Sequence, residues 1–152
     1  MKLERYESLV ASDDGLKFTF NSIGPKGRIC KWIQFQKMND STIYYLSFGN
    51  LLSDGNVDHY TKDDNKDRNK ILATVAVAIY EFTARNPDKL VFFTGSTDGR
   101  TRLYRMALTI YFQALSLDFD IYGVYIMEDD HLIEPFEKGK DYYGFAVKIK
   151  IN

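Results

Sequence analysis

The sequence contains little cysteine, no excess of either charge and no long apolar run. Its single cysteine, Cys30, cannot form an internal disulfide, which predicts a reducing, cytoplasmic location. The 20 lysines and arginines nearly balance the 21 aspartates and glutamates, and a net charge of -1 argues against extended nucleic-acid binding. The uncharged, largely apolar run at residues 71–80 is about half of the roughly 20 residues that a membrane helix needs. Residues 1–10 contain no apolar signal segment, so we expect no membrane association.

Aromatic side chains are abundant by contrast, with 11 tyrosines, 11 phenylalanines and one tryptophan. Such side chains pack well in sheets, and 152 residues suit one core, so we expect a single domain over residues 1–152. Cys30 lies within an apolar-rich strand pattern and is predicted to be a small core residue.

The hydrophobic periodicity predicts an α+β fold with a mainly antiparallel sheet, formed by an N-terminal meander and C-terminal strands. The element order is strands, helix, strand, helix, strands, and we expect both helices to pack on one face of the sheet. Helices are predicted at about residues 66–85 and 98–116, and strands at 16–21, 28–37, 42–48, 90–93, 119–127, 132–136 and 142–151. Residues 128–131 are predicted to form a hairpin turn.

One segment has the composition of an anion-binding site. A buried strand is followed by a glycine, serine and threonine turn that opens the second helix, where backbone N–H groups without intrahelical partners attract anions. Three arginines follow within two turns, although cations at this end of a helix oppose its dipole. We therefore predict a phosphate or other anion site formed by Gly95, Ser96, Thr97, Arg100, Arg102 and Arg105.

A structural role for the same residues remains open. Asp98 and Arg102 are four residues apart and can pair on the helix surface. Arg102 and Arg105 could instead hold an acidic side chain of the sheet, such as Asp118 or Asp120.

Other site classes fit the sequence poorly. Three residues rather than four separate Gly95 from Gly99, and no lysine follows, so the segment is not a nucleotide-binding P-loop. Residues 63–67 begin like a calcium loop but lack its glycine and closing glutamate, and they are interpreted as a solvated helix start. The acidic residues 128–130 and His131 are predicted to lie in one tight turn, where their side chains point in different directions, so we do not expect them to form a metal site. We find no catalytic constellation, and we predict no cofactor and no metal.

The chain resembles a family of small bacterial proteins of about 150 residues whose function is uncharacterised. Four pieces carry the resemblance: the turn at residues 24–27, the strand at 44–49, the alanine-rich helix around 72–76, and Gly-Ser-Thr at 95–97 followed by Arg-Thr-Arg-Leu-Tyr at 100–104. The resemblance implies a bacterial, cytoplasmic protein and carries over no activity.

Two functional readings follow from the sequence. In the first, the protein is a non-catalytic binding module whose arginines hold a small anionic or phosphorylated ligand, with aromatic rings available for stacking. In the second, it is a structural protein or homodimer, and the arginines make only internal ion pairs. An enzyme is the weaker alternative.

Overall fold

The structure is a computed structural model that describes residues 4–40 and 42–151; the first three residues of the N-terminal segment considered above lie outside these ranges. Within them the chain has the predicted α+β class, with a nine-stranded, mainly antiparallel sheet and three helices. The strands are β1 (Val10–Ala11), β2 (Lys17–Gly24), β3 (Gly27–Lys37), β4 (Ile43–Leu51), β5 (Val57–Asp58), β6 (Leu90–Phe93), β7 (Phe119–Met127), β8 (Asp130–Pro135) and β9 (Gly144–Ile149). The helices are α1 (Arg68–Arg85), α2 (Asp98–Ile110) and α3 (Phe112–Leu115).

The described residues divide into two compact units. The N-terminal unit comprises residues 4–36 and 46–85, and the C-terminal unit comprises residues 37–40, 42–45 and 86–151. Strand β4 contributes residues to both. The single domain and the placement of both helices on one face of the sheet stay predictions.

The N-terminal unit is an antiparallel meander whose inner face packs on α1. Strands β2 and β3 pair with Phe18 opposite Ile33, and both side chains are buried. Phe35 stacks on Phe82 of α1, with ring centroids 4.3 Å apart and the rings 4° from parallel. Cys30 lies on the opposite face of β3 and is only half-buried, so its predicted core position was wrong. The two-residue alternation of a strand places Cys30 away from Phe35.

The C-terminal unit has the strand order β6-β9-β7-β8, so β8 is its edge strand. Val91 and Phe93 of β6 are buried on the face that meets α2, where Phe93 and Tyr104 make an edge-to-face contact with centroids 5.4 Å apart. Phe92 points to the opposite face and is half-buried. The direction of Phe92 matters for the site described below.

The second helix is shorter than predicted. Helix α2 begins at Asp98 as expected but ends at Ile110, and the chain resumes as the single turn α3 after Tyr111. β-Branched and aromatic residues are weak helix formers, and they follow one another from Thr109 to Phe112. The interruption lets the ring of Phe112 stack on Phe136, at 5.8 Å between centroids.

Candidate functional site

The start of α2 is capped by its own turn. Thr97 has extended backbone angles, φ -135° and ψ 160°, and its Oγ1 accepts a hydrogen bond from the Arg100 N–H at 3.2 Å. This is the usual way in which a threonine satisfies a free donor of a first helical turn. The predicted boundary at Asp98 is therefore confirmed, together with its cause.

Gly95 brings the strand-to-helix turn directly against the first turn of α2. Its N–H donates to Thr101 Oγ1 at 3.0 Å, and a Cβ at this position would lie 2.3 Å from the Thr101 nitrogen. No side chain fits there without moving the backbone. Gly95 thus positions the turn through an internal hydrogen bond, and its own N–H is occupied.

The three predicted arginines do not converge on one point. The Arg100 guanidinium donates to Ser96 Oγ at 3.1 Å. Arg105 forms a salt bridge with Asp141, at 2.7 Å between Nη1 and Oδ1. Arg102 is exposed and makes no hydrogen bond or ion pair with another described residue. Successive helical residues are about 100° apart, so Arg102 shares a side of the helix with Arg105 and not with Arg100.

These positions decide between the ion pairs considered from the sequence. Arg105 pairs with Asp141 of the loop before β9, not with Asp118 or Asp120. Among the described residues Asp98 and Arg102 form no salt bridge. One of the three arginines is therefore held by an internal ion pair, and Arg102 is open to solvent.

A cluster of three aromatic rings, which was not predicted from the sequence, lies on the other face of the C-terminal strands. The ring cluster consists of Phe92, His131 and Tyr143. Phe92 and Tyr143 are stacked, with centroids 6.3 Å apart and an interplanar angle of 22°. His131 meets both rings at steep angles, at 6.3 Å from Phe92 and 5.7 Å from Tyr143. Tyr143 is 45% exposed, so one ring of the cluster remains open for a further stacking partner.

Thr94 connects the ring cluster to the start of α2. Its hydroxyl donates to the carbonyl oxygen of Tyr143 at 2.6 Å and lies 3.5 Å from the hydroxyl of Thr101. Thr101 in turn accepts the hydrogen bond from Gly95. These hydrogen bonds thus connect the start of α2 to the backbone of Tyr143.

One side chain of α2, Tyr104, has a shifted pKa. Burial beneath the helix raises the pKa of Tyr104 to about 12, and the positive charge of Arg100 opposes that rise. The phenol of Tyr104 therefore stays neutral at physiological pH and serves as a packing group against Phe93.

A second polar cluster lies in the N-terminal unit and consists of Lys31, Asn50 and Asp63. Lys31 is buried, and its Nζ donates to Asp63 Oδ2 at 2.7 Å and to Asn50 Oδ1 at 2.8 Å. Asn50 Nδ2 also donates to Asp63 Oδ2, at 2.7 Å. The charges satisfy one another, as buried ion pairs must, and the arrangement joins β3, β4 and the 63–67 segment.

The 63–67 segment is not the solvated helix start that the sequence indicated. Asn65 is buried and donates to Ser22 Oγ and to the Gly27 carbonyl, each at 3.0 Å. Asp67 Oδ2 accepts hydrogen bonds from the hydroxyls of Ser22 and Tyr6, while its Oδ1 is buried without a partner among the described residues. Because these side chains bond to the meander, we assign the segment a structural role.

Two further properties concern the described residues as a whole. No group of three histidine, cysteine, aspartate or glutamate side chains within residues 4–40 and 42–151 is placed to hold a metal ion. In the same ranges no helix has the length and apolar character needed to cross a bilayer.

The geometry can be compared with known proteins. No curated protein matches the chain. No solved structure matches it either. A model of a family of unknown function (DUF6934) matches residues 2–150, which agrees with the resemblance to an uncharacterised family noted from the sequence, and the chain belongs to that family.

Proposed function

We propose that the protein is a binding module for a small ligand that combines a phosphate or similar anionic group with a planar ring. The start of α2 would hold the anion, and the ring cluster would hold the planar group. The observation that carries the proposal is the hydrogen bond from the Thr94 hydroxyl to the Tyr143 carbonyl oxygen, because it ties the segment that leads into α2 to the backbone of a ring-cluster residue. A nucleotide, or the end of a single strand, has this chemistry.

The anionic half rests on the first turn of α2. The N–H groups of Asp98 and Gly99 belong to the helix start, where the dipole favours negative charge. Ser96 holds the Arg100 side chain beside this turn. Arg102 adds a second positive charge to this end of α2, on the side that carries Arg105. A bound anion would offset the cost of two cations at this end, about 0.3–1 kcal/mol each.

The proposed anion-binding group contains fewer residues than the site predicted from the sequence. Ser96, Thr97 and Arg100 form the proposed anion-binding group, and Arg102 would contribute its charge from another side of the helix. Gly95 shapes the turn, and Arg105 would need to exchange Asp141, which is almost fully exposed, for a ligand. The predictions of a bacterial, cytoplasmic and non-catalytic protein fit this reading and stay predictions.

The planar half rests on the ring cluster. Stacking of a base on an aromatic side chain is worth about 1–3 kcal/mol, and the exposed Tyr143 offers such a surface. His131 adds ring nitrogens that can donate to or accept from the edge of a base. The net charge of -1 favours one small ligand over a long nucleic acid.

Calorimetric titration with adenosine monophosphate, uridine monophosphate, their nucleosides and inorganic phosphate tests both halves. We expect a nucleotide to bind more tightly than its nucleoside or free phosphate, because only the nucleotide engages both halves. Arg100→Gln should weaken nucleotide binding but not nucleoside binding, whereas Tyr143→Leu should weaken both. Arg68→Gln is the matched control, since Arg68 is an exposed arginine in the first turn of α1.

The outcomes separate the readings. Equal losses in Arg100→Gln and Arg68→Gln would indicate a general charge effect and would contradict a site at α2. If none of the probes binds at millimolar concentration, the proposal is wrong.

A further inference from the structure

Strand β8 forms an edge of the C-terminal sheet. We propose that β8 pairs antiparallel with β8 of a second copy of this chain and so forms a homodimer. This interface goes beyond the ligand site and does not depend on it.

At two residues of β8 the backbone N–H and C=O groups face away from β7 and meet no other strand among the described residues. The Phe136 N–H donates to the Ile121 carbonyl oxygen of β7 at 3.0 Å, so the backbone of Phe136 faces β7. Backbone groups alternate in direction along an antiparallel strand, and the register Tyr122 to Pro135 continues unbroken to Met127 and Asp130. His131 and Ile133 therefore direct their N–H and C=O groups to the open edge.

Symmetry restricts how two such edges can meet. The twofold axis of an antiparallel pair is perpendicular to the sheet and leaves each side chain on its own face, so an odd-numbered residue must face an odd-numbered one. Placing His131 opposite Ile133 of the second copy uses every outward N–H and C=O of both residues, with Leu132 facing its own counterpart. A shift toward the C-terminus would bring in Pro135, which has no N–H to donate.

The side chains at this edge suit a protein partner better than water. Leu132 is 38% exposed and Ile133 50% exposed, on opposite faces of β8. Ile126, opposite His131 on β7, is 49% exposed on the same face as Ile133. Edge strands that remain in water usually carry charges at such positions. In the proposed register the apolar side chains of both copies extend across the junction on each face.

The charges near the ends of β8 are compatible with this register. Asp130 would face Glu134 of the second copy, and two carboxylates alone would repel each other. Lys140 prevents this, because its Nζ already lies 2.7 Å from Glu134 Oε2 and its side chain is about half exposed. The same ion pair lowers the pKa of the Glu134 carboxyl and raises that of Lys140. Lys140 thus stands where the carboxylate of Asp130 would arrive.

Sedimentation velocity over a concentration series up to about 200 µM tests the dimer, because association depends on concentration. One short strand per copy makes a small interface, so we expect micromolar affinity and a mass approaching twice the 17.6 kDa of one chain. Ile133→Pro removes an N–H that faces outward and leaves the bonds between β7 and β8 intact. We expect the dissociation constant to rise about tenfold or more. Ile133→Thr, which keeps the N–H, should weaken the dimer less.

A second pair of variants tests the register independently of the proline. Lys140→Gln should weaken association, and adding Asp130→Asn in that background should restore part of it, because the repulsion from Glu134 is then removed. A wild-type chain that stays monomeric throughout the series overturns the proposal. So does a dimer that Ile133→Pro leaves unchanged while circular dichroism shows the variant folded, because the interface would then lie elsewhere.

Discussion

Replacing Lys31 by methionine tests whether the buried ion pair holds the N-terminal unit together. The Lys31 side chain is 5% exposed and that of Asp63 is 16% exposed, so water can do little for a charge left behind. In Lys31→Met the carboxylate of Asp63 loses its buried ammonium partner, although the hydrogen bond from Asn50 remains. Removing one partner of a buried pair typically costs about 3–5 kcal/mol, whereas methionine fills a similar volume. At this chain length that loss corresponds to roughly 6–20 °C in Tm.

Urea unfolding followed by the fluorescence of Trp32, the only tryptophan and a neighbour of Lys31 on β3, measures the loss. Lys37→Met is the matched control, because Lys37 is an exposed lysine of the same strand, and it should change the free energy of unfolding by less than about 0.5 kcal/mol. The double variant Lys31→Met/Asp63→Leu should be more stable than Lys31→Met alone, since the buried carboxylate that lost its ammonium partner is then also absent. A loss below about 1 kcal/mol in Lys31→Met, or a double variant no more stable than the single one, would refute the reasoning.

Two further predictions concern the region around α2. Gly95→Ala should destabilise the protein by about 1–3 kcal/mol in urea unfolding, because the new Cβ would lie 2.3 Å from the Thr101 nitrogen. Gly99→Ala in the same segment has room, with its nearest neighbour at 3.8 Å, and should stabilise by about 0.5–1 kcal/mol; two equal losses would argue against the close approach at Gly95. The raised pKa of Tyr104 keeps its phenol neutral in the folded state, so the stability that it contributes is complete below pH 10.0 and is lost as the pH rises toward about 12. Unfolding at pH 9 and pH 11 should therefore show a smaller alkaline loss in Tyr104→Phe than in the wild type, and an identical loss would contradict the assignment.

The sequence predicts elements well where strong local signals bound them. Strands β6 and β7 have the predicted bounds, and α1 ends at Arg85, where Asn86 and Pro87 stop a helix. The two-residue strands β1 and β5 were not predicted, because such short pairs depend on their partners rather than on their own composition. A hairpin turn was predicted at residues 128–131. The structure forms it with Glu128 and Asp129 alone, whose φ angles are 51° and 67°, whereas residues 130 and 131 already belong to β8.

One part of the candidate site could be predicted from the sequence and another could not. The start of α2 was predictable because a threonine cap and a glycine turn are local signals. The ring cluster was not, since Phe92, His131 and Tyr143 come from three separate stretches of the chain and meet only in the folded C-terminal unit. The partner of Arg105 was missed for the same reason, because Asp141 is 36 residues away.

The 63–67 segment shows why a polar stretch can be part of a core. Asp64 and Lys66 have positive φ angles, 48° and 60°, and these alternate with Asp63, Asn65 and Asp67, whose side chains turn toward the meander. The same composition describes a solvated loop when the backbone conformation is unknown. The backbone of this segment also lies close to the turn at residues 24–27, since a Cβ on Gly24 would lie 2.1 Å from the Asn65 carbonyl oxygen.

Two of the four pieces that carry the family resemblance meet residues of this polar core. The turn at residues 24–27 receives Asn65, whose Oδ1 accepts from the Lys26 N–H at 2.7 Å. The alanine-rich helix supplies Thr74, whose hydroxyl accepts from the Tyr6 N–H at 2.9 Å. The hydroxyl of Tyr6 completes the connection by donating to Asp67. These two pieces therefore have a structural explanation in the N-terminal unit, whereas the piece at residues 95–104 belongs to the site for which a ligand is proposed.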